Sequence, residues 1–427
     1  MVAGAGDAAV VRVARGLGPW IHAGQAHAVG MASGLDAPWA ALINGTAAHA
    51  LDYDDVLDPA ASHVSAVLIP ALLALGEEVQ ARGDDLLDAY IVGVEAQECL
   101  AEAVNMAHYT HGWHTTITLG SPSAAAACAR LLRLDPIQTR NALSIATSMS
   151  GGFKRQFGTN TKPFHAGLAA KNGVLAARMA AAGLSADDSP FEGPRGFLDL
   201  MVGKQAPGFS GSVSRLVDPG LPAIVRPGLW LKRYPCCAST HRAVDALLDI
   251  MWHRGLKADD IKHVLTSVSA AAVGNLMYDH PTQEMEARFS MPFCISAAAL
   301  DGDLTLPTFR RPALDRSDIR SWMPKVSMVC DPAQPAAMPS TVKSWAEVTV
   351  QTVNGDTWTQ KVVDPKGYPD RPLSEEDLER KFADCVQDQL PIVRDTWELW
   401  RGLGPQTPLQ RLGKVLSQVQ VEAVADA

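Results

Sequence analysis

The sequence predicts a mainly α protein that carries an α+β insertion. Three observations predict it. Alanine is abundant while aromatics make up only 6 % of the 427 residues. That composition suits closely packed helices, because alanine has the best helix propensity and lets backbones approach. Apolar residues recur at helical spacing, between short polar or Gly/Pro breaks, over roughly the first 200 positions. Alternation with a period of two becomes clear only after the break at Val225-Arg226-Pro227-Gly228.

The elements follow in order. Asp84-Asp85 opens a helix in which Leu86, Leu87, Tyr90, Ile91, Val94 and Leu100 recur at helical spacing; the acid pair sits at its positive end. Ser121-Pro122 starts a small-residue helix over 124–134, Pro136 opens another running to Ser148, and an alanine-rich helix over 166–182 is ended by Gly183. Beyond the break, 264–273 and 325–330 read as strands. Two alternating runs within 346–363 flank Asn354-Gly355-Asp356, and Asn-Gly supplies the positive φ of a hairpin turn. Ser374 is an N-cap candidate before a helix with Leu378, Phe382 and Val386 at i+4. Helical segments thus cover 1–227 and 369–427, with an α+β part over 228–368.

Bulk properties narrow the function. Lys and Arg number 37 against 46 Asp and Glu, a net charge of −9. That opposes nucleic acid or an anionic membrane as partner. Seven cysteines, an odd number without a CxxC pair, argue against a disulfide framework or a zinc site and fit a reducing cytoplasm. The opening residues lack a basic stretch followed by a long apolar one, so a signal peptide is not expected there. The longest strongly apolar run, Val64 to Leu75, is too short to span a bilayer.

Several clusters could do chemistry. Residues 44–55 place Asp52, Asp54 and Asp55 near His49, with His63 beyond. Carboxylates orient a histidine and raise its pKa; a helix end capped by Asp54 or Asp55 is the structural alternative. His108, His111 and His114 are spaced by three, but Gly112 argues against one long helical face and no carboxylate joins them. One catalytic histidine beside two surface or packing ones is therefore expected rather than a metal site. Residues 151–165 mix glycines with Lys154 and Lys162 and could hold an anion, or form a basic interhelical loop. In 232–241, one of Cys236 and Cys237 is expected to pack inside while the other faces a site, with His241 as a nearby imidazole. Residues 286–294 read as helix-start packing. GxGxxG after a strand, Walker A, HExxH and GxSxG are all absent. The remainder favours proton transfer on a small carboxylate without a cofactor.

Five stretches, NGTAAHALDYDD with His63, HGWHTT, FGTNTKPFHAGLAAKNGV, KRYPCCASTH, and EARFSMPF followed by ALDGD, stand in order over nearly the whole chain. Together they resemble the MmgE/PrpD family, which includes 2-methylcitrate dehydratase, cis-aconitate decarboxylase and iminodisuccinate epimerase. The resemblance implies a large all-helical domain built from both chain ends and a smaller inserted α+β lid. It also implies a homodimer, a site between the two domains, and no metal or other cofactor. Carried over by position, Asp52, His63, His114 and Lys162 are the catalytic candidates, and Lys232, Cys237, His241 and Phe293 the substrate-binding ones.

Departures from the family pattern shape the expected chemistry. Val56 stands where decarboxylase-like members have a hydroxyl residue, Cys237 where they carry a histidine, and Phe293 where a tyrosine is usual. The loop from Asp52 to His63 is about one residue longer, and the chain begins about one helix later than the family pattern, as a late start or truncation would leave it. The expected function is a cofactor-independent lyase, dehydratase-type, abstracting a proton α to a carboxylate of a small di- or tricarboxylic acid. Epimerisation of a dicarboxylate by α-proton exchange, or metabolite binding without catalysis, are the alternatives.

Overall fold

The computed structural model describes residues 1–18, 23–58, 61–202, 208–209, 220–334, 343–386, 389 and 397–421. The fold is mainly helical with one small mixed sheet.

The helical part is built from α1 (Ala8–Leu17), α2 (Ala37–His49), α3 (Ser65–Glu78), α4 (Gly83–His111), α5 (Gly120–Leu131), α6 (Pro136–Thr147) and α7 (Thr161–Ala181). Helices α2 and α7 pack at unusually short range because two glycines meet. A Cβ at Gly45 would stand 2.8 Å from Gly167 Cα, and one at Gly167 would stand 2.2 Å from Leu42 O. This contact brings the last residue of α2, His49, against the first turn of α7, which carries Lys162.

The sheet belongs to the second part. Its strands are β1 (Ile261–Val268), β2 (Val326–Cys330), β3 (Ala346–Thr352) and β4 (Thr357–Val362), in the order β2-β1-β3-β4. β1 runs parallel to β2 and antiparallel to β3, and β3 runs antiparallel to β4. Val264 lies opposite both Val326 and Val350. The alternating residues Ala346, Val348 and Val350 are buried, as period-two patterning requires. They pack with helices α8 (Ala238–Arg254) and α9 (Met291–Asp301) into a core that includes Val244, Leu247, Ile295 and Phe309. Gly355 takes φ 93° at the hairpin turn. Helix α10 (Glu375–Val386) follows. Helix α11 (Leu409–Ser417) returns to the first part, where Leu409, Leu412 and Leu416 join the core that holds Val10, Leu42 and Leu72.

The differences from expectation have local causes. The strand expected over 264–273 stops at Val268, because the Ser269 side chain accepts from Ala272 N–H and caps a short helix, Ala270–Asn275. Helix α7 starts at Thr161, five residues before the expected start, so Lys162 and His165 stand in its first two turns and not in a loop. Helix α4 extends to His111 and ends where Gly112 takes φ 115°. Helix α2 is buried on nearly every face, so it lacks the polar stripe by which a surface helix is read. No helix among the described residues is long and apolar enough to cross a membrane.

Candidate active site

The site begins where α2 ends. Asp52 takes φ 51°, a left-handed conformation that Asp and Asn adopt more readily than most residues. Its N–H donates to His49 O at 3.1 Å. Two lysines from distant segments meet its carboxylate. Lys162 Nζ lies 2.6 Å from Oδ1, and Lys232 Nζ lies 3.0 Å from Oδ2 while donating to the Asp52 carbonyl at 3.0 Å. Burial works against the charge on Asp52, yet Lys162 and Lys232 outweigh it and hold the carboxyl well below its usual range. Burial likewise opposes the charge on Lys232, and Asp52 and Asp54 raise its pKa in spite of it.

Asp54 organises the imidazoles. Its Oδ2 is 2.9 Å from His49 Nδ1 and 3.1 Å from His63 Nδ1. His63 Nδ1 also lies 3.1 Å from Asp55 O. With only acceptors around it, Nδ1 of His63 carries the proton, which leaves the Nε2 lone pair free. Nε2 lies 3.8 Å from Asp52 Oδ1. By the same logic His49 donates from Nδ1 to Asp54 and accepts at Nε2 from Lys162 Nζ, 2.7 Å away. Burial lowers the pKa of His63 below the ordinary 6.5 against the pull of Asp54, and lowers that of His49 to about 3. Both are neutral at pH 7.

Asp55 turns the other way. Its Oδ1 accepts from Ser65 N–H at 3.0 Å at the start of α3, and the Ser65 hydroxyl donates to Oδ2. Burial pushes its pKa up to about 6. Of the acids in this stretch, Asp55 thus serves the helix end while Asp52 and Asp54 serve the cluster.

His114 lies just past the end of α4. Its Nδ1 is 2.9 Å from His165 Nδ1, and its buried Nε2 has no hydrogen-bond partner among the described residues. Burial, with His165 and Lys162 adding to it, holds its pKa well below 6.5. His108 instead contacts Thr118 Oγ1 at 2.7 Å, and His111 is exposed, so the three histidines do not converge.

A cleft joins these groups to the second part. Asp52, His63, His114 and Lys162 line one side, with Tyr109 and Phe157; Cys237, Ser239, Asn275 and Phe289 line the other. Cys237 borders the cleft and burial raises its thiol pKa, while Cys236 is buried with Sγ 3.1 Å from Thr240 Oγ1. Lys232 is fully buried behind Asp52 and reaches the cleft only through it.

Two expected substrate-binding residues lie elsewhere. His241 is fully buried, with its ring 5.3 Å from Trp230 and 5.1 Å from Tyr234, and Nε2 3.3 Å from Cys236 O. Phe293 is fully buried in the sheet-bearing part, 5.9 Å from the Phe309 ring. Each follows a cleft residue by four positions on a helix or its approach, Cys237 and Phe289 respectively, and turns into the core instead.

Other groups went unassigned in the sequence. His49 and Asp54 sit inside the quoted acidic motif, and the spacing of His49 three residues before Asp52 was the available signal. His165 stands three positions after Lys162, one helical turn on. Nothing in the sequence points to Tyr109, because its place in the cleft comes from the length of α4.

The ligand atoms of His49, Asp52, Asp54 and His63 all lie within 4.8 Å of one another. Their chemistry does not fit a divalent metal. Both Asp52 oxygens and His49 Nε2 already face lysine ammonium groups, which a cation would have to displace against their repulsion.

Residues 1–210 match the MmgE/PrpD N-terminal domain and residues 234–399 the MmgE/PrpD C-terminal domain. Cis-aconitate decarboxylase of Homo sapiens is 32% identical over 388 residues, 86% of this chain and 78% of that protein. That of Mus musculus is 31% identical over 383 residues, 85% and 74%. That of Aspergillus terreus is 25% identical over 423 residues, 92% and 84%. With both family domains matched in order along most of its length, the chain belongs to the MmgE/PrpD family.

Proposed function

We propose that this protein is a cofactor-independent lyase of a small tricarboxylic acid, moving a proton at a carbon α to a carboxylate. One observation carries the reading. His63 is held at Nδ1 by Asp54 and the Asp55 carbonyl, and its Nε2 is free beside a cation-neutralised Asp52 at the cleft. A neutral, oriented imidazole next to fixed cations is what proton transfer at a carboxylate-stabilised carbanion requires.

Two outcomes share that carbanion. In decarboxylation, the bond to the departing carboxylate breaks and its electron pair forms the new double bond. The old double bond takes up a proton from a site acid, for which His114 Nε2 is the candidate donor, and CO2 leaves. In dehydration, a base takes the α proton, the pair forms a double bond, and the hydroxyl leaves with a proton as water. Both build charge on the carboxylate beside the reacting carbon, where Lys162 supplies a positive charge. His114 Nε2 supplies the second proton-handling atom.

Decarboxylation of a cis-aconitate-like acid is the first reaction to test, since three relatives carry that name. Val56 and Cys237 do line the cleft, and they keep dehydration of a citrate-like acid as the second. The Phe293 side chain lies in the core, so its lack of a phenol does not change the cleft. Tyr109 brings a phenol to the cleft, donating to Asn275 Oδ1 at 3.2 Å. We also propose the homodimer that the resemblance implies and the division at 227/228 and 368/369 read from the change in sequence pattern. Carbon-13 NMR with cis-aconitate, citrate and 2-methylcitrate tests the activity. Conversion of one of them supports the reading; no conversion of any of them overturns it.

A further inference from the structure

Asp52 and Lys232 meet at 3.0 Å, yet they stand on segments 180 residues apart. A third segment ties the two together from outside the cleft. Lys381 lies in the second turn of α10, and its Nζ donates to Tyr53 O at 2.7 Å and to Lys232 O at 2.6 Å. It also lies 4.1 Å from the centre of the Tyr53 ring. Tyr53 is the residue after Asp52, and Lys232 is the lysine that touches the Asp52 carboxylate. The two carbonyls therefore belong to one partner of that ion pair, Lys232, and to the residue that follows the other.

Helix α10 is itself held in place. Ser374 N–H donates to Asp377 Oδ2 at 3.0 Å, Asp377 N–H donates to Ser374 Oγ at 3.2 Å, and Lys366 Nζ lies 2.7 Å from Asp377 Oδ2. This reciprocal cap fixes the start of the helix and so the position of Lys381 two turns in. The side chain is half-buried among these partners. An ammonium has three donors, and two are committed to the carbonyls.

We propose that Lys381 is a positioning residue for the reaction proposed above. By holding the Tyr53 and Lys232 carbonyls, it sets how Asp52 and Lys232 face each other. The link between Lys381 and site geometry stands on the contacts alone; its effect on turnover rests on the proposed function. Displacement of a catalytic group by about 1 Å costs on the order of 10²-fold in rate.

The test compares Lys381→Met, which keeps the length and loses the donors, with Lys381→Arg and Lys381→Gln, which keep a donor. Thermal melts select the variants that fold. Two readouts follow: kcat and KM on the converted acid, and the imidazole nitrogen-15 shifts of His63, which report its contact with Asp54 and need no substrate. Lys381→Met is expected to lower kcat by about 10- to 100-fold and to move the His63 signals, with the Arg or Gln variant recovering both in part. Unchanged kinetics and unchanged His63 signals in folded Lys381→Met overturn the proposal. So does a loss that neither donor-bearing variant recovers although all three fold. If wild-type protein converts no acid, the proposed function fails while the His63 shifts still decide the clamp.

Discussion

The Lys162 ammonium lies 2.6 Å from Asp52 Oδ1, with both side chains almost wholly buried. Lys232 closes on the other oxygen at 3.0 Å. Two lysines thus balance the carboxylates of Asp52 and Asp54 in a protein whose net charge is −9. On the proposed function, the balance lets an acidic protein offer its cleft to an anion. It also makes Asp52 the hinge of the account, since its removal leaves two buried cations facing the cleft.

Asp52→Asn is the cleanest probe, because asparagine also tolerates the left-handed backbone at this position. Breaking a buried pair by removing one partner typically costs about 3–5 kcal/mol. The variant is expected to melt earlier, and a tricarboxylate is expected to raise its melting temperature more than it raises that of the wild type. Thermal melts with and without cis-aconitate measure both. A variant as stable as wild type, with no larger ligand shift, contradicts the charge balance.

The buried histidines make stability depend on pH. His49, His165, His63 and His114 all have folded pKa values lowered by burial, to about 3 for His49 and about 4 for His165. The unfolded chain therefore binds more protons, and stability rises with pH. Their contribution is complete above the unfolded value near 6.5 and is lost as pH falls toward 4 and below, by up to about 1.4 kcal/mol per pH unit for each histidine. Asp55, raised to about 6 by burial, opposes this trend below pH 6. Urea midpoints between pH 7.5 and pH 4.5 are expected to fall, and a flat profile contradicts the neutral assignment.

The same assignment governs catalysis. If the reaction is dehydration, a general base with a lowered pKa places the acid limb of kcat/KM below pH 6.5, since that limb reports the free enzyme. His63→Gln is expected to lose about 10²- to 10⁴-fold in kcat and to abolish the limb. A pH–rate profile for each protein measures this.

Cys237 lines the cleft as a neutral thiol, its pKa raised by burial. Cys237→Ser is expected to keep kcat within a few-fold, and iodoacetamide is expected to label Cys237 slowly at pH 7, because the thiolate is the reactive form. Mass spectrometry of the labelled protein reads the rate. Rapid labelling that stops turnover points to a nucleophilic role instead.

Much of the site was legible because it sits in compact motifs. Asp52, His63, His114 and Lys162 stand in polar clusters that the sequence shows, the family resemblance singled them out within those clusters, and all four line one cleft. The Asn354-Gly355 turn and Pro136 marked their elements because both residues act locally. What escaped depends on long-range packing. His241 and Phe293 each follow a cleft residue by four positions, and no local rule says which of the two turns inward. Tyr109 reaches the cleft only because α4 runs for 29 residues. Lys381 reads as one more charge on an amphipathic helix until α10 is laid against Tyr53.

The most direct measurement is proton NMR of cis-aconitate incubated with the enzyme in heavy water. Decarboxylation through the carboxylate-stabilised carbanion gives a product with one deuterium at the methylene beside the retained carboxylate, together with CO2, and His63→Gln stops both. A product free of deuterium, or wild-type turnover by a folded His63→Gln, contradicts the account.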